Sequence, residues 1–297
     1  MSKPNILVTG AGGQLGKLVI DQLTARSTGT RVAALVRSAG QADTLNRLGV
    51  EARIGDYTDG KSLDRAFAGI ERLLFISSND LVSRRAQHRN VVEAAKRAGV
   101  KLVAYTSLLH ADRSPLGLGQ DHRDTEADLR DSGVPFVVLR NGWYTENYTQ
   151  AIPAALAHGA FLGSAGNGRI ASAARRDYAE AAAAVLLSAD DQAGRIYELA
   201  GDDAYTLPQF VAEIARRTGQ PIAYQNLPQQ AFREALQSAG LPAPVAALLA
   251  DSDAGASQDG LFDDGRAMSR LIGRPTTPFA QTIAESLSSA AGQDPAA

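Results

Sequence analysis

A short apolar strand, a glycine-rich turn and an amphipathic helix open the chain and constrain its fold most. The strand is Asn5-Ile6-Leu7-Val8, and the helix ends near Leu23. In the GxxGxxG turn between them, the glycines allow a tight bend, close approach of backbone N–H groups to a pyrophosphate, and close packing of helix on strand. A turn that binds nothing is the alternative. The pattern predicts a dinucleotide site formed by Gly10, Ala11, Gly12, Gly13, Gln14, Leu15 and Gly16.

The second apolar strand, Arg31 to Val36, ends in Arg37-Ser38, where an NAD-preferring site carries Asp or Glu. A guanidinium at this tip suits the 2′-phosphate of NADP through its charge and forked geometry. The alternative is an arginine that simply ends a strand in solvent. Together with the glycine turn, Arg37 predicts NADP(H) as the cofactor.

Composition narrows the class of protein. The 297 residues carry 30 Lys and Arg against 32 Asp and Glu without a basic block, so nucleic acid and anionic membranes are not expected partners. Because cysteine is absent, disulfides and thiolate metal ligands are excluded. The acidic pairs at 251–253 and 263–264 lack calcium-loop spacing and are typical of turns and helix caps, so no metal is expected. Without a long apolar run or a signal-peptide pattern, the sequence predicts a cytoplasmic protein.

Apolar strands alternate with helical segments through the first half of the chain. Strands are predicted at 5–8, 31–36, 51–54, 72–76, 101–106 and 136–139. Six parallel strands with helices on both faces predict an α/β fold, a doubly wound parallel sheet of the Rossmann type. The pattern loosens after Tyr148. We therefore expect an NADP-binding domain over 1–148 and a smaller C-terminal α/β domain over 149–297, with 177–199 packing back on the first domain.

Polar residues follow the ends of two of these strands, where doubly wound sheets bind their ligands. Asp56 and Tyr57 follow the third strand and are expected near the adenine end. Ser77, Ser78 and Asn79 follow the fourth strand and are expected beside the ribose and nicotinamide. For each small polar residue, a turn residue that bonds to its own backbone is an equal alternative.

Longer stretches carry a family resemblance nearly to the end of the chain. They are the glycine turn, Arg37, and the segments 72–78, 104–112, 139–148, 170–173, 175–178, 249–253 and 260–264. They resemble the NmrA-like branch of the atypical short-chain dehydrogenases, and more narrowly the bacterial NADPH-dependent quinone oxidoreductase 2 group. The glycine turn alone is weakly specific, whereas the long ungapped stretches are strongly specific.

The resemblance implies a flavin-free enzyme that binds NADPH and passes hydride from its nicotinamide to a quinone. It places the turn from Gly10 to Gly16 on the pyrophosphate and Arg37 on the 2′-phosphate. It places Ser77 to Asn79 along the nicotinamide half, with Arg175 near the cofactor. The same half is implied to contact Asn141, Gly142, Trp143, Tyr144, Thr145 and Glu146.

The chain departs from ordinary short-chain dehydrogenases on the helix after the fifth strand. Those enzymes carry Tyr-x-x-x-Lys there, and the tyrosine protonates the substrate oxygen. Here His122 and Glu126 stand at that spacing. A glutamate opposes deprotonation of a neighbour where a lysine favours it, so the usual mechanism cannot operate.

Reduction of a quinone tolerates this loss, because the hydroquinone anion is far less basic than an alkoxide and positioning with a few hydrogen-bond donors suffices. We hypothesise donors from Asn141, Tyr144 or Tyr148, with Trp143 stacking on the ring. Core packing is an equal alternative for these aromatic residues. His122 is a further candidate as a proton relay, although an isolated histidine is more often structural.

Two function classes stay open. The first is a reductase of quinones or similar electron-poor acceptors. The second is an NADP(H)-sensing regulatory protein with little or no catalysis, which the missing Tyr-Lys pair favours. An isomerase or epimerase of nucleotide-sugars is a weaker alternative, because it needs that pair. A homo-oligomer is compatible with the sequence.

Overall fold

The computed structural model describes residues 5–26 and 29–291. Within these residues, nine strands form two parallel sheets, one of seven strands and one of two. The strands are β1 (Asn5–Val8), β2 (Arg31–Val36), β3 (Glu51–Ile54), β4 (Arg72–Phe75), β5 (Leu102–Leu108), β6 (Phe136–Asn141), β7 (Ala160–Gly163), β8 (Ile196–Leu199) and β9 (Ala223–Asn226).

Helices alternate with the strands through the first six strands and dominate the rest. Local signals explain several helix starts: Asp59 accepts a hydrogen bond from the Lys61 N–H at one of them, and Thr206 forms a capping box with Gln209 at another. The helices are α1 (Gln14–Arg26), α2 (Ala39–Arg47), α3 (Gly60–Phe67), α4 (Arg84–Arg97), α5 (Gly119–Ser132), α6 (Thr145–Thr149), α7 (Ile152–His158), α8 (Arg175–Leu187), α9 (Leu207–Thr218), α10 (Gln229–Ser238), α11 (Ala243–Ala256), α12 (Ala267–Ile272) and α13 (Phe279–Ala291).

The large sheet has the strand order β3-β2-β1-β4-β5-β6-β8. Leu7 of β1 pairs with Ala33 of β2 on one side and with Leu73 of β4 on the other, both in parallel. The direction in which the chain adds strands therefore reverses between β1 and β4. In doubly wound sheets, ligands bind at such a switch point, outside the carboxyl ends of the strands. The predicted α/β fold with a Rossmann-type sheet is confirmed.

The core beside this sheet explains why the strands are apolar on both faces. On one face, Leu7 and Leu73 belong to a fully buried cluster with Val91 from α4. Ile6 and Leu74 are adjacent to them in the strands, so they point to the other face, and they are fully buried as well. Burial of side chains on both faces is what makes parallel strands read as nearly continuous apolar runs.

The chain divides into two compact units. The first unit contains the described residues as far as Ala111, together with Gln120–Asn141 and Arg175–Tyr197. The second contains Asp112–Gly119, Gly142–Ala174 and the described residues from Glu198 onward. The chain therefore passes between the units more than once, whereas the expected division after Tyr148 is a single boundary.

The small sheet, β7 with β9, lies in the second unit and was not predicted. Both strands are four residues long, and only Phe161 and Gly163 among their residues are fully buried. Strands of four residues, of which β9 is mostly exposed, are too short to show the alternating apolar pattern by which strands are recognised in a sequence.

Candidate functional site

The glycine turn is built so that only glycine fits at two of its positions. Gly10 has a φ of +59°, in the left-handed region that disfavours other residues. A Cβ placed on Gly16 would lie 2.4 Å from the Gly10 carbonyl oxygen, so α1 approaches the turn as closely as backbone allows. The first turn of α1 contains no acidic residue. Its N-terminal N–H groups and dipole suit an anion such as a pyrophosphate.

The tip of β2 presents an exposed arginine. The backbone N–H of Arg37 donates to Gln41 Oε1 at 3.2 Å, and Ser38 caps α2. After β3, Asp56 accepts hydrogen bonds from the hydroxyl and backbone N–H of Thr58. These bonds, with a smaller effect from the Arg37 charge, lower the pKa of Asp56. The structure thus leaves the Arg37 guanidinium at the surface and engages the Asp56 carboxylate locally.

Tyr57, which follows β3, reaches the chain that follows β1 and β4. Its hydroxyl lies 2.8 Å from the Ile76 carbonyl oxygen and within hydrogen-bond reach of the Thr9 hydroxyl. Burial raises the pKa of Tyr57 above its usual range. Its polar end therefore faces the protein, so a contact with adenine would be made by the ring.

The three residues expected beside the nicotinamide follow β4 and differ in exposure. Ser77 is half-buried, Ser78 is buried and Asn79 is exposed. The Ser77 N–H donates to Thr106 Oγ1 of β5 at 2.9 Å. The structure therefore places Ser77 and Asn79 at the carboxyl edge and turns Ser78 into the protein.

Asn141 ends β6 with an unsatisfied polar atom. Its backbone oxygen accepts from the Leu109 N–H at 2.9 Å, but its buried side-chain Oδ1 has no hydrogen-bond partner among the described residues. An acceptor buried without a donor costs free energy that a ligand N–H would recover. The carboxamide of nicotinamide is such a donor, so Asn141 fits the cofactor predicted from the sequence.

The stretch from Gly142 to Glu146 belongs to the second unit. It is fixed there by backbone bonds: Gly142 N–H donates to Leu199, Ala173 N–H donates to Trp143, and Thr145 N–H donates to Ala173. Trp143 and Thr145 are buried, whereas Tyr144 and Glu146 are half-buried. Of these side chains, Tyr144 and Glu146 are the ones with surface left for a ligand.

Tyr148 lies in an aromatic cluster of the second unit. Its ring packs 6.5 Å from Trp143 and 5.8 Å from Phe210. Its hydroxyl donates to Asp253 Oδ1 at 3.2 Å. Burial and the neighbouring carboxylate raise the pKa of Tyr148 well above its usual value. This geometry favours core packing over substrate contact for Tyr148.

Asp251 and Asp253 both lie inside α11, so the expectation that the acidic residues at 251–253 form turns or helix caps was wrong. The Ser164 N–H donates to Asp253 Oδ2 at 2.9 Å. Burial raises the pKa of Asp253 to about 6, although both hydrogen bonds oppose that shift. Asp263, by contrast, accepts from the Gly265 N–H two residues on, as a turn residue does.

His122, on α5, is buried behind β5. Its Nδ1 lies 2.8 Å from the Tyr105 hydroxyl, and Tyr105 is fully buried. Burial, with the Arg84 charge, lowers the pKa of His122 to about 3, so the imidazole is neutral near pH 7. The relay hypothesis is untested, and this environment favours a structural role.

Glu126 forms a buried ion pair in the region where other short-chain dehydrogenases place a lysine. Arg140 Nη2 lies 2.8 Å from Glu126 Oε2, and Arg140 Nε donates to Oε1 at 3.0 Å. The Ser107 hydroxyl also donates to Oε1, at 2.6 Å. Arg140 thus brings a positive charge next to Glu126. The Tyr-x-x-x-Lys spacing does not reveal it, because Arg140 lies on β6 and not on α5.

In the first unit, the candidates lie at the carboxyl ends of five strands of the large sheet: the glycine turn after β1, Arg37 after β2, Asp56 and Tyr57 after β3, Ser77 to Asn79 after β4, and Asn141 at the end of β6. Arg175 begins α8 in the same unit and is buried. The sequence reasoning missed Arg84, Gln87 and His88, which contact Ser78. The signal that could have found them is their spacing of three and four residues, which places them on one face of the helix.

Within the part of the chain that the structure describes, no group of acidic residues and histidines is arranged to hold a metal ion. No described helix is long and apolar enough to cross a membrane.

Comparisons with known proteins agree with these features. A model of the NmrA-like family matches residues 2–264. Quinone oxidoreductase 2 of Escherichia coli (strain K12) is 52% identical over 278 residues, which are 94% of this chain and 97% of that protein.

Two solved structures share the fold at high similarity. NADPH-dependent quinone oxidoreductase from Escherichia coli, complexed with NADPH, matches with a TM-score of 0.91 and 51% identity, covering 95% of this chain and 99% of that chain. Triphenylmethane reductase from Citrobacter sp., complexed with NADP(H), matches with a TM-score of 0.90 and 34% identity, covering 95% of this chain and 100% of that chain. The chain is a member of the NmrA-like family.

Proposed function

We propose that this protein is an NADPH:quinone oxidoreductase that works without flavin. The observation that carries the proposal is the glycine turn, where Gly16 lets α1 begin in close contact with the Gly10 carbonyl. The first turn of α1 carries no acidic residue, so the positive end of this helix suits a pyrophosphate. The 52% identity to a quinone oxidoreductase over nearly the whole chain supports the reaction. The same likeness favours this function over a cofactor-sensing regulator.

The proposed cofactor contacts follow the strand ends of the first unit. The glycine turn binds the pyrophosphate, Arg37 binds the 2′-phosphate, and Asn141 Oδ1 accepts an N–H of the nicotinamide carboxamide. Ser77 and Asn79 flank the same half of the cofactor. NADPH bound in this way supplies a hydride, and a quinone that takes the hydride and one proton from water becomes a hydroquinone.

The reaction does not require the missing Tyr-Lys pair. Glu126 is engaged by Arg140 and Ser107, so its carboxylate is held away from substrate chemistry. Among the candidate donors, Tyr144 keeps accessible surface, whereas the Tyr148 hydroxyl is committed to Asp253. We therefore assign stabilisation of the nascent oxyanion to Tyr144, and we assign Tyr148 to core packing.

The test is NADPH oxidation at 340 nm by purified protein whose spectrum shows no flavin band near 450 nm. We expect loss of NADPH that depends on added benzoquinone or naphthoquinone and is faster than with NADH. NADPH binding without turnover across several quinones would contradict the proposal and favour the sensor. A cytoplasmic location, the lack of a nucleic-acid partner and homo-oligomerisation stay predictions from the sequence.

The role of Tyr144 has its own test. In Tyr144→Phe we expect most of the quinone-dependent rate to be lost while NADPH affinity is unchanged, because the hydroxyl acts only on the developing negative charge. Full activity in this variant would remove Tyr144 from the role.

A further inference from the structure

Ser78 is held at each of its polar groups by one helix. Its backbone N–H donates to His88 Nε2 at 2.9 Å, and its carbonyl oxygen accepts from Arg84 Nε at 2.9 Å. Its hydroxyl donates to Gln87 Oε1. Gln87 also donates from Nε2 to Asp80 Oδ2 at 2.8 Å, so it holds the loop at two points.

The three side chains form one device because of their spacing. Positions 84, 87 and 88 are related by three and four residues, which places them on the same face of α4 in its first two turns. All three are buried, as is Ser78. A loop held by buried hydrogen bonds on each side of its backbone is rigid compared with a loop that water solvates.

The hydrogen-bond pattern fixes the tautomer of His88. The Thr125 hydroxyl donates to the Asp121 carbonyl oxygen at 2.8 Å, so its oxygen accepts from His88 Nδ1, which lies 2.8 Å away. His88 Nδ1 therefore carries the proton, and Nε2 is free to accept from the Ser78 N–H. Burial lowers the pKa of His88 to about 3, so this neutral form persists at working pH.

A second helix holds the first in place. His88 is bonded to Thr125 of α5, and Arg84 Nη1 lies 3.7 Å from Asp121 Oδ2 at the start of α5. The position of Ser78 is thus coupled through α4 to α5, and all of these residues belong to the first unit.

We propose that Arg84, Gln87 and His88 are positioning residues for hydride transfer, which hold the loop after β4 so that Ser77 and Asn79 meet the nicotinamide half of NADPH in one fixed geometry. The proposal rests on the proposed function. Turning Ser78 inward directs its two neighbours to the carboxyl edge of the sheet. Small errors in the placement of reacting groups lower the reaction rate strongly, so a rigid loop favours hydride transfer.

The test compares Gln87→Leu with Val91→Ala, a control on the same helix. Val91 is fully buried in the apolar core, and its side chain has no polar group that could bond to the loop. Its truncation therefore lowers stability but leaves the hydrogen bonds of Ser78 in place. For each variant we would measure the melting temperature, the NADPH dissociation constant by fluorescence, kcat/KM, and the isotope effect with NADPH deuterated at the transferred position. His88→Gln provides a rescue variant, because an amide can accept from Ser78 and donate to Thr125.

We expect kcat/KM of Gln87→Leu to fall about tenfold, the effect of two lost hydrogen bonds, with a larger isotope effect. Val91→Ala should keep the wild-type kcat/KM and isotope effect, although its melting temperature should be close to that of Gln87→Leu. His88→Gln should retain most of the wild-type rate, whereas His88→Leu should lose it. Wild-type kinetics in folded Gln87→Leu, or an equal kinetic loss in Val91→Ala, would overturn the proposal.

The two proposals fail in different ways. If the wild-type protein does not oxidise NADPH with any quinone, the proposed function is wrong, and the dissociation constant for NADPH then decides whether the three side chains position the bound cofactor. Binding about tenfold weaker in Gln87→Leu than in Val91→Ala supports that role. Equal binding in the two variants overturns it.

Discussion

Each of the two units buries groups whose charged form is disfavoured, and folding shifts the pKa values of these groups in opposite directions. The first unit buries two histidines, His88 and His122, inside hydrogen bonds that hold the helices α4 and α5. The second buries an acid, Asp253, beside the aromatic cluster that contains Tyr148. In both units burial favours the neutral form of these side chains over the charged form. The comparison teaches that acid should affect the two units in opposite directions.

The sign for the first unit follows from depressed pKa values. The pKa of each histidine falls from 6.5 to about 3 on folding, so the unfolded chain binds more protons between these limits. The stability that the neutral histidines contribute is fully present above pH 6.5 and is lost as the pH falls toward 3.

The sign for the second unit follows from a raised pKa. The pKa of Asp253 rises from 3.8 to about 6 on folding, so the folded chain binds more protons in that window. Its contribution is fully present below pH 3.8 and is lost as the pH rises through 6. At neutral pH the second unit therefore carries an unfavourable buried charge.

The largest expected effect comes from breaking the buried ion pair of the first unit. Glu126→Gln removes the charge that faces Arg140, and we expect the free energy of unfolding to fall by about 4 kcal/mol. Asp128→Asn is the control on the same helix, because its partner Arg89 is 3.8 Å away and more than half exposed. Equal unfolding curves for Glu126→Gln and the wild type in urea would show that the pair adds nothing to the first unit.

Acid is expected to separate the two units next. Between pH 6.5 and 5, the two histidines together should cost the first unit on the order of 3 kcal/mol. Over the same change the second unit should become more protected. Hydrogen exchange by mass spectrometry, read on α4 and α5 against α11, measures both. Faster opening of all three helices on acidification contradicts the comparison.

Asp253→Asn removes the acid from the second unit while keeping its shape. The amide oxygen can accept from the Ser164 N–H, and the amide NH₂ can donate to the Tyr148 hydroxyl, so both polar contacts survive. We expect a gain of about 2 kcal/mol at pH 8 and no gain at pH 4, where the wild-type acid is protonated. A stability loss at pH 8 would mean that the carboxylate charge is favourable in the folded protein.

The smallest effect on stability is expected at the exposed edge of the first unit, where Arg37→Ala should change only binding. A charge-assisted hydrogen bond contributes about 1.5 to 3 kcal/mol, so the preference for NADPH over NADH should fall about ten- to a hundredfold. Arg47→Ala, exposed on α2, should leave the preference intact. Dissociation constants for both cofactors decide this, and equal use of the two by the wild type would contradict the 2′-phosphate assignment.

Local pattern explains which parts of this molecule the sequence predicted. The strand at 5–8, the glycine turn and the helix that follows are consecutive in the chain, so their periodicity and residue types identify them. The large sheet follows from repetition of that rhythm. The strands β7 and β9 lack a comparable pattern, because each has only four residues and β9 is mostly exposed.

The missed contacts join residues far apart in the chain. Tyr148 meets Asp253 across 105 residues, and His88 meets Thr125 across 37. No spacing rule relates such pairs, so the aromatic residues and His122 were left with two interpretations each. Asp253 likewise read as a surface acid, since only the packed second unit reveals its burial.

The central claim is direct, flavin-free reduction of a quinone by NADPH, and a single-turnover experiment tests it most directly. Protein without a 450 nm band, loaded with one equivalent of NADPH, is mixed with excess benzoquinone in a stopped-flow instrument. We predict one rapid loss of absorbance at 340 nm, with no change at 450 nm and one equivalent of hydroquinone formed. No loss beyond the protein-free rate, or loss only after flavin is added, would contradict the account.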